Sequence, residues 1–348
     1  MRFISRRAWL HSRVAIGIAA TLTIGLGFVL YRYLVWSKLV SDYPASYAVL
    51  ALIPVFFVWM YQHLHRKYLR RAKVYRTPFP TAWRQILSRY VTFYRVLGEQ
   101  SKTRFEKLVQ VFLSEQKIIG VGTSVDDLTK VLVAASAIIP TFGYVDWEYD
   151  RLGVIFIYPN RFDSRFNYDP ETDLSGESYR QIAGMVGNEA LLNAMILSKE
   201  DMIASFVQPF DGRNVPVHEF THVIDKSDGA IDGNLSLYWD KNDIRAWRSL
   251  MYHETQRIIR GESKIDPYAA TQPVEFLAVM SEYFFELPEF LYHEHNEVYQ
   301  LLKKGFRQDT RKLMADAPQA RQYHAYRARL EALRQAENGV RIQYTLTA

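Results

Sequence analysis

Cysteine is absent from all 348 residues. Disulfide staples, thiolate nucleophiles, Cys-type zinc fingers and iron–sulfur centres are therefore excluded, and any metal must be held by His, Asp or Glu. Acidic charge is nearly missing from one end. Residues 1–80 carry 12 Lys/Arg and a single Asp, a net of +11, whereas residues 81–348 hold 31 Lys/Arg against 36 Asp/Glu, a net of −5. The overall charge of +6 and pI near 9.2 thus belong to the N-terminal segment, which argues against nucleic acid as a partner of the rest. Internal repeats and low-complexity tracts are also lacking, and with 49% hydrophobic and 23% charged residues the chain is long enough to bury at least one full core.

Two uncharged apolar runs stand within the basic segment, Val14 to Tyr31 (18 residues) and Tyr43 to His65 (23 residues). Each is long enough to cross a ~30 Å hydrocarbon layer as a helix. Trp9, Tyr31, Tyr33 and Trp36 flank the first, and Tyr43, Trp59 and Tyr61 lie in the second, the rings that favour the headgroup zone. Arg2, Arg6, Arg7 and Arg13 precede the first run and Arg66, Lys67, Arg70, Arg71, Lys73 and Arg76 follow the second. By the positive-inside rule this predicts a hairpin over residues 1–75, with spans at about 14–35 and 44–64, in the lipid bilayer of a bacterial inner membrane with both termini cytoplasmic. Ser5-Arg6-Arg7 also has the look of a twin-arginine export signal, but no A-x-A-like cleavage site follows and a second apolar run does.

Beyond the hairpin, spacing of three and four predicts helices from Thr81, over Lys102 to Gln116, and over Asp126 to Ile139 before Pro140. Val154 to Tyr158, apolar and bounded by Gly153 and Pro159, predicts a strand. Residues 160–187 read as a long polar connection, and 309–338, rich in Ala, Arg and Glu, as a solvated helix outside the core. The expected architecture is α+β: a catalytic domain at 76–308, mostly helical with a small sheet, and a C-terminal helical extension at 309–348.

His218-Glu219-Phe220-Thr221-His222 fits H-E-x-x-H within an apolar stretch. Positions i and i+4 share one helix face, so both imidazoles can reach one ion. Glu219, one step round the cylinder, can take a proton from an attacking water without binding the metal, the division of labour that metal-assisted hydrolysis needs. At this chain's His and Glu frequencies the pattern arises by chance in roughly one such chain in eighty. A catalytic zinc site usually has three protein donors. Asp225, Asp228, Asp232, His253, Glu254, Glu262, Asp266, Glu275 and Glu282 are downstream candidates. Glu275 is favoured, because a carboxylate in the apolar stretch Val274 to Phe285 is costly unless paired or bound to metal. Glu282, two turns further on, suits a hydrogen bond to a ligand imidazole, with a ligand role open to it on spacing alone. Asp225 has the choice of such a bond or of capping its own helix.

The strings HEFTHVID and, about fifty residues later, DPYAATQPVEFLAVMSEYFFELPEFL resemble the Mlc titration factor A family of zinc-dependent peptidases. The likeness extends more loosely over about residues 80–310. It implies zinc held by His218, His222 and Glu275, Glu219 as general base, Tyr268 as a stabiliser of the oxyanion, and a zincin-like fold related to the metalloprotease domain of anthrax lethal factor. A peptide or protein is then the expected substrate. The alternative it raises is a regulatory protein that sequesters a cytoplasmic partner such as a transcriptional repressor. Leu191 to Leu197 is the candidate edge strand for pairing with an extended peptide.

Overall fold

The computed structural model describes residues 6–36, 52–162, 184–186, 193–315 and 317, in two units, Met1–Pro78 and Phe79–Ala348.

In the first unit, helices α1 (Arg6–Trp36) and α2 (Leu52–Arg76) pack against each other. Ile16–Tyr33 in α1 is long and apolar enough to cross a membrane, the only such stretch among the described residues. Ile24, Phe28 and Val29 point outward, and only Ala19 and Thr23 of this stretch are buried, the Thr23 hydroxyl donating to the Ala19 carbonyl at 2.6 Å. The expected second span begins in residues 37–51, outside the described residues. Its remainder forms the first part of α2, which then turns basic, with Arg66, Arg70, Lys73 and Arg76 exposed.

The second unit is mostly helical with one small mixed sheet. Helices α3 (Thr81–Tyr90), α4 (Thr92–Arg95) and α5 (Glu99–Glu115) lead into β1 (Lys117–Gly120). The helix expected from Thr81 is thus broken at Val91, whose extended backbone separates α3 from α4. α6 (Asp127–Thr141) begins at Asp126, whose carboxylate accepts the Thr129 N–H, and carries Pro140 in its last turn. Every residue from Val131 to Pro140 is buried, because α3, α5, a short helix α7 (Lys199–Val207) and the metal-motif helix α8 (Val215–Asp225) all pack on it.

The sheet order is β1–β2–β4–β3, with β2 (Val154–Tyr158), β3 (Gly184–Val186) and β4 (Met195–Ser198). The first three neighbours run parallel and β3 runs antiparallel to β4. All four residues of β4 are buried, which suits a central strand covered on both faces. This corrects the expectation for Leu191 to Leu197: the strand there is interior. The edge next to α8 is β3, inside the stretch read as a polar connection; three residues give too short a pattern to register in a Gly- and Asp-rich sequence.

The chain ends its described course with α9 (Lys241–Ile259), a 3₁₀ turn at Pro267–Ala270, α10 (Pro273–Glu286), α11 (Pro288–Glu294), α12 (Asn296–Phe306) and α13 (Thr310–Leu313). Thr310, Met314 and Ala317 are buried, the last two in the main core. Thr310, Met314 and Ala317 therefore pack inward instead of standing outside the core; residues 316 and 318–348 of the expected extension lie outside the described residues.

Candidate metal centre

Helix α8 is fixed at its start and along one face. The Asn214 side chain accepts the Val217 N–H at 3.1 Å, and Pro216 lies in the first turn, where its missing N–H costs nothing. Val217, Phe220 and Ile224 are buried, each contributing roughly 1.5–3 kcal/mol. The Phe220 ring meets Phe112 and Tyr149 edge-on. The opposite side of α8 turns His218 and His222 toward α10, which presents Glu275 in its first turn and Glu282 two turns later, and sets Glu219 against Gly184 of β3.

The ligand atoms of His218, His222 and Glu275 all lie within 4.8 Å of one another. Glu275 Oε2 is 2.9 Å from His218 Nε2 and 3.4 Å from His222 Nε2, so the three donors point at one place. The other His218 nitrogen, Nδ1, is 2.8 Å from Glu282 Oε1. Glu282 also accepts the backbone N–H of Asn214, while Glu286 accepts the Asn214 amide at 2.8 Å and the Phe210 N–H at 3.0 Å. The single face of α10 that supplies Glu275 therefore also grips the start of α8.

The electrostatics are those of a cation site. Burial pulls the His218 imidazole down, but carboxylates on both nitrogens outweigh it and hold the ring well above its ordinary value. Burial pushes the Glu275 carboxyl up, and the two imidazoles reverse this and hold it below the usual carboxylate range. Glu219 is 5% exposed, its Oε2 has no hydrogen-bond partner among the described residues, and burial raises its carboxyl above the ordinary value. An unpartnered buried carboxylate oxygen is costly, and a nearby cation or water would relieve it. The set of two imidazoles and one carboxylate, with a further carboxylate on the outer nitrogen of a ligand imidazole, has the composition and support of a catalytic metal site.

Tyr268 is half exposed in the 3₁₀ turn, its ring 6.0 Å from that of His218. The turn is held by Asp266, which accepts the Tyr268 N–H at 2.9 Å and pairs with Arg213 at 2.8 Å. Asp225 makes no hydrogen bond to an imidazole among the described residues; its two oxygens accept the backbone N–H groups of Gly233 and Asn234. The other candidates point elsewhere: Asp232 to Arg248, Glu254 to Arg257 and Ser263, Glu262 to Arg260, Asp228 to the Ala230 N–H, and His253 onto Tyr252.

Three contributors escaped the sequence reading. Asn214, two residues before Pro216, carries an N-cap signature, and Glu286 falls one residue past the apolar window, on the face of Glu282 one turn further on. Gly184 in β3 is the third. A Cβ there would lie 2.7 Å from Glu219 Cγ and 2.8 Å from its Oε1, so only glycine lets the strand run so close to that carboxylate; nothing local in the sequence marks it.

Residues 65–307 match the sequence profile of the glucose-regulated metallo-peptidase M90 family. The chain belongs to that family. Among its relatives, the uncharacterized protein slr2042 of Synechocystis sp. is 32% identical over 256 residues, covering 72% of this chain and 91% of that protein. Mlc titration factor A of Salmonella agona is 26% identical over 230 residues, covering 61% and 81%. That of Yersinia pestis is 24% identical over 279 residues, covering 75% and 99%. The matched region contains the whole His218–His222–Glu275 cluster, so the cluster belongs to the part that this chain has in common with M90 metallo-peptidases.

Proposed function

We propose that this M90 protein is a membrane-anchored zinc metallopeptidase that hydrolyses peptide bonds in a peptide or protein substrate. The observation that carries the reading is the convergence of His218 Nε2, His222 Nε2 and Glu275 Oε2 beside the buried Glu219 carboxylate, whose Oε2 has no hydrogen-bond partner among the described residues. Zinc, which favours such N/N/O donor sets, would polarise the scissile carbonyl and ease loss of a proton from water. Glu219 takes that proton at Oε2 and passes it to the leaving amine, and its burial raises the affinity of this carboxyl for protons. Glu282 would fix the His218 ring through Nδ1, and Tyr268, half exposed with its ring 6.0 Å from that of His218, would steady negative charge on the carbonyl oxygen. β3, the end strand of the sheet among the described residues, would offer an extended peptide a backbone partner beside Glu219. For location, the apolar, outward-facing α1 supports anchoring in a bacterial inner membrane. The basic second half of α2 supports a hairpin with the catalytic domain in the cytoplasm.

The test is Glu219→Gln in the full chain, with zinc content and cleavage of a peptide library read together. The variant retains zinc and loses at least ~10²-fold in rate, whereas Glu275→Ala loses the metal; undiminished cleavage by Glu219→Gln refutes the assignment. The name of two relatives, Mlc titration factor A, favours a second reading, in which the domain sequesters a regulatory protein with little or no hydrolysis. Partner capture and cellular effect both unchanged in Glu219→Gln would support that reading instead.

A further inference from the structure

Asp225 closes α8 three residues after His222 and is 2% exposed. Its carboxylate neither caps its own helix nor meets a ring nitrogen. Oδ2 accepts the Gly233 N–H at 3.0 Å and Oδ1 the Asn234 N–H at 3.1 Å. Gly233 has φ +71°, and a Cβ there would lie 2.3 Å from the carbonyl oxygen of Pro273 and 2.7 Å from its carbon. Only glycine takes this backbone conformation freely and permits this approach. On a third side, the indole N–H of the fully buried Trp247 donates to the Gly233 carbonyl at 2.7 Å, and its ring packs 5.4 Å from Phe276. The two peptide units on either side of Gly233 are thus bonded to the end of α8 and to α9, and lie close against the beginning of α10. Pro273 is the first residue of α10, and Glu275 is two residues further on.

We propose that Asp225, Gly233 and Trp247 form a latch that sets the distance between the helix carrying His218 and His222 and the first turn carrying Glu275, and so positions the third metal donor. Asp225 is then a positioning residue acting through the 233–234 backbone. The α10 face already ties Glu282 and Glu286 to the start of α8; the latch ties the other end of α8 to the other end of α10. With both ends fixed, the donors of two helices that are distant in sequence are held to the ~0.5 Å that a metal site requires. The inference rests on the metal-binding part of the function proposed above and not on hydrolysis.

The experiment is a competitive zinc titration of the full chain in detergent against a chromophoric chelator. It compares wild type with Asp225→Asn, Gly233→Ala and Trp247→Phe, each checked by metal-free circular dichroism and melting. Asp225→Asn keeps shape and burial but faces one backbone N–H with an amide N–H. Zinc affinity falls ~10- to 100-fold in these variants. Glu106→Gln is the control. It weakens a cluster of Arg84, Tyr94 and Glu106 joining α3, α4 and α5, and it leaves zinc affinity unchanged at a comparable loss of melting temperature. Wild-type affinity in folded Asp225→Asn and Trp247→Phe, or an equal loss in Glu106→Gln, overturns the latch. Failure of the wild type itself to bind zinc refutes the metal reading instead.

Discussion

Replacing Glu282 by Gln probes how α10 prepares the imidazole of His218. The Glu282 carboxylate faces two donors, the His218 Nδ1–H at 2.8 Å and the Asn214 backbone N–H, at a position only 6% exposed. A Gln amide has one oxygen and therefore satisfies one of the two, while its NH₂ group confronts the other. Losing one charge-assisted bond in a buried site costs about 1.5–3 kcal/mol. Removing the partner of a ligand imidazole lowers metal affinity ~10- to 100-fold, or about 1.4–2.7 kcal/mol, so the two routes to the magnitude agree. Asn214 stays in place because Glu286 still accepts its amide, which confines the defect to the ring of His218. The assay is chelator-competed zinc binding alongside thermal melting of the metal-free protein. Glu282→Gln weakens both, whereas Glu106→Gln, in the cluster with Arg84 and Tyr94, lowers melting alone. Zinc affinity within twofold of wild type for Glu282→Gln would refute the assignment of this carboxylate.

Two further outcomes follow from groups elsewhere in the fold. Gly184→Ala puts a methyl carbon against the Glu219 side chain and is expected to cut peptide cleavage at least ~10-fold by displacing the base while zinc content stays stoichiometric; wild-type turnover would show that the strand does not set the base's position. The buried Glu254 carboxylate is pushed up by burial, but His295, Ser263 and Arg257 outweigh this and hold it down at about 2, against 4.5 unperturbed. A lowered carboxylate contributes stability that is complete above about pH 4.5 and is lost as the pH falls toward 2. After allowance for screening at the half-exposed Arg257, the contribution is about 2 kcal/mol. Urea melts at pH 7 and pH 3 should differ by less in Glu254→Gln than in wild type, and an equal difference would remove this group from the account.

The parts of this protein legible in its sequence are those written at short range. The i, i+4 histidines, the buried strand at Val154 to Tyr158 and the expense of a carboxylate in the stretch from Val274 all follow from neighbours within two turns or one strand. What escaped was long-range. Nothing near Gly184 tells that a three-residue strand passes over Glu219, and β4 reads as an edge until β3 is placed beside it. Asp225 offered two local roles, and the fold gives it neither; its partners lie eight and nine residues ahead and matter because Pro273 sits behind them. Thr310, Met314 and Ala317 stand four and three residues apart, at helical spacing, but a hydroxyl, one Met and a methyl side chain among charged neighbours are too weakly apolar to mark a buried face.

The acids of α10 lie seven and four residues apart, at positions 275, 282 and 286, and so act as graduations on a single rod. Each added residue turns a helix by about 100°, so inserting one between Glu275 and Glu282 would swing both downstream carboxylates off the imidazole and the cap while leaving the first donor where it was. Such a chain would keep every chemical group of the centre and lose its alignment, which makes the interval between these acids, as much as their identity, part of the site.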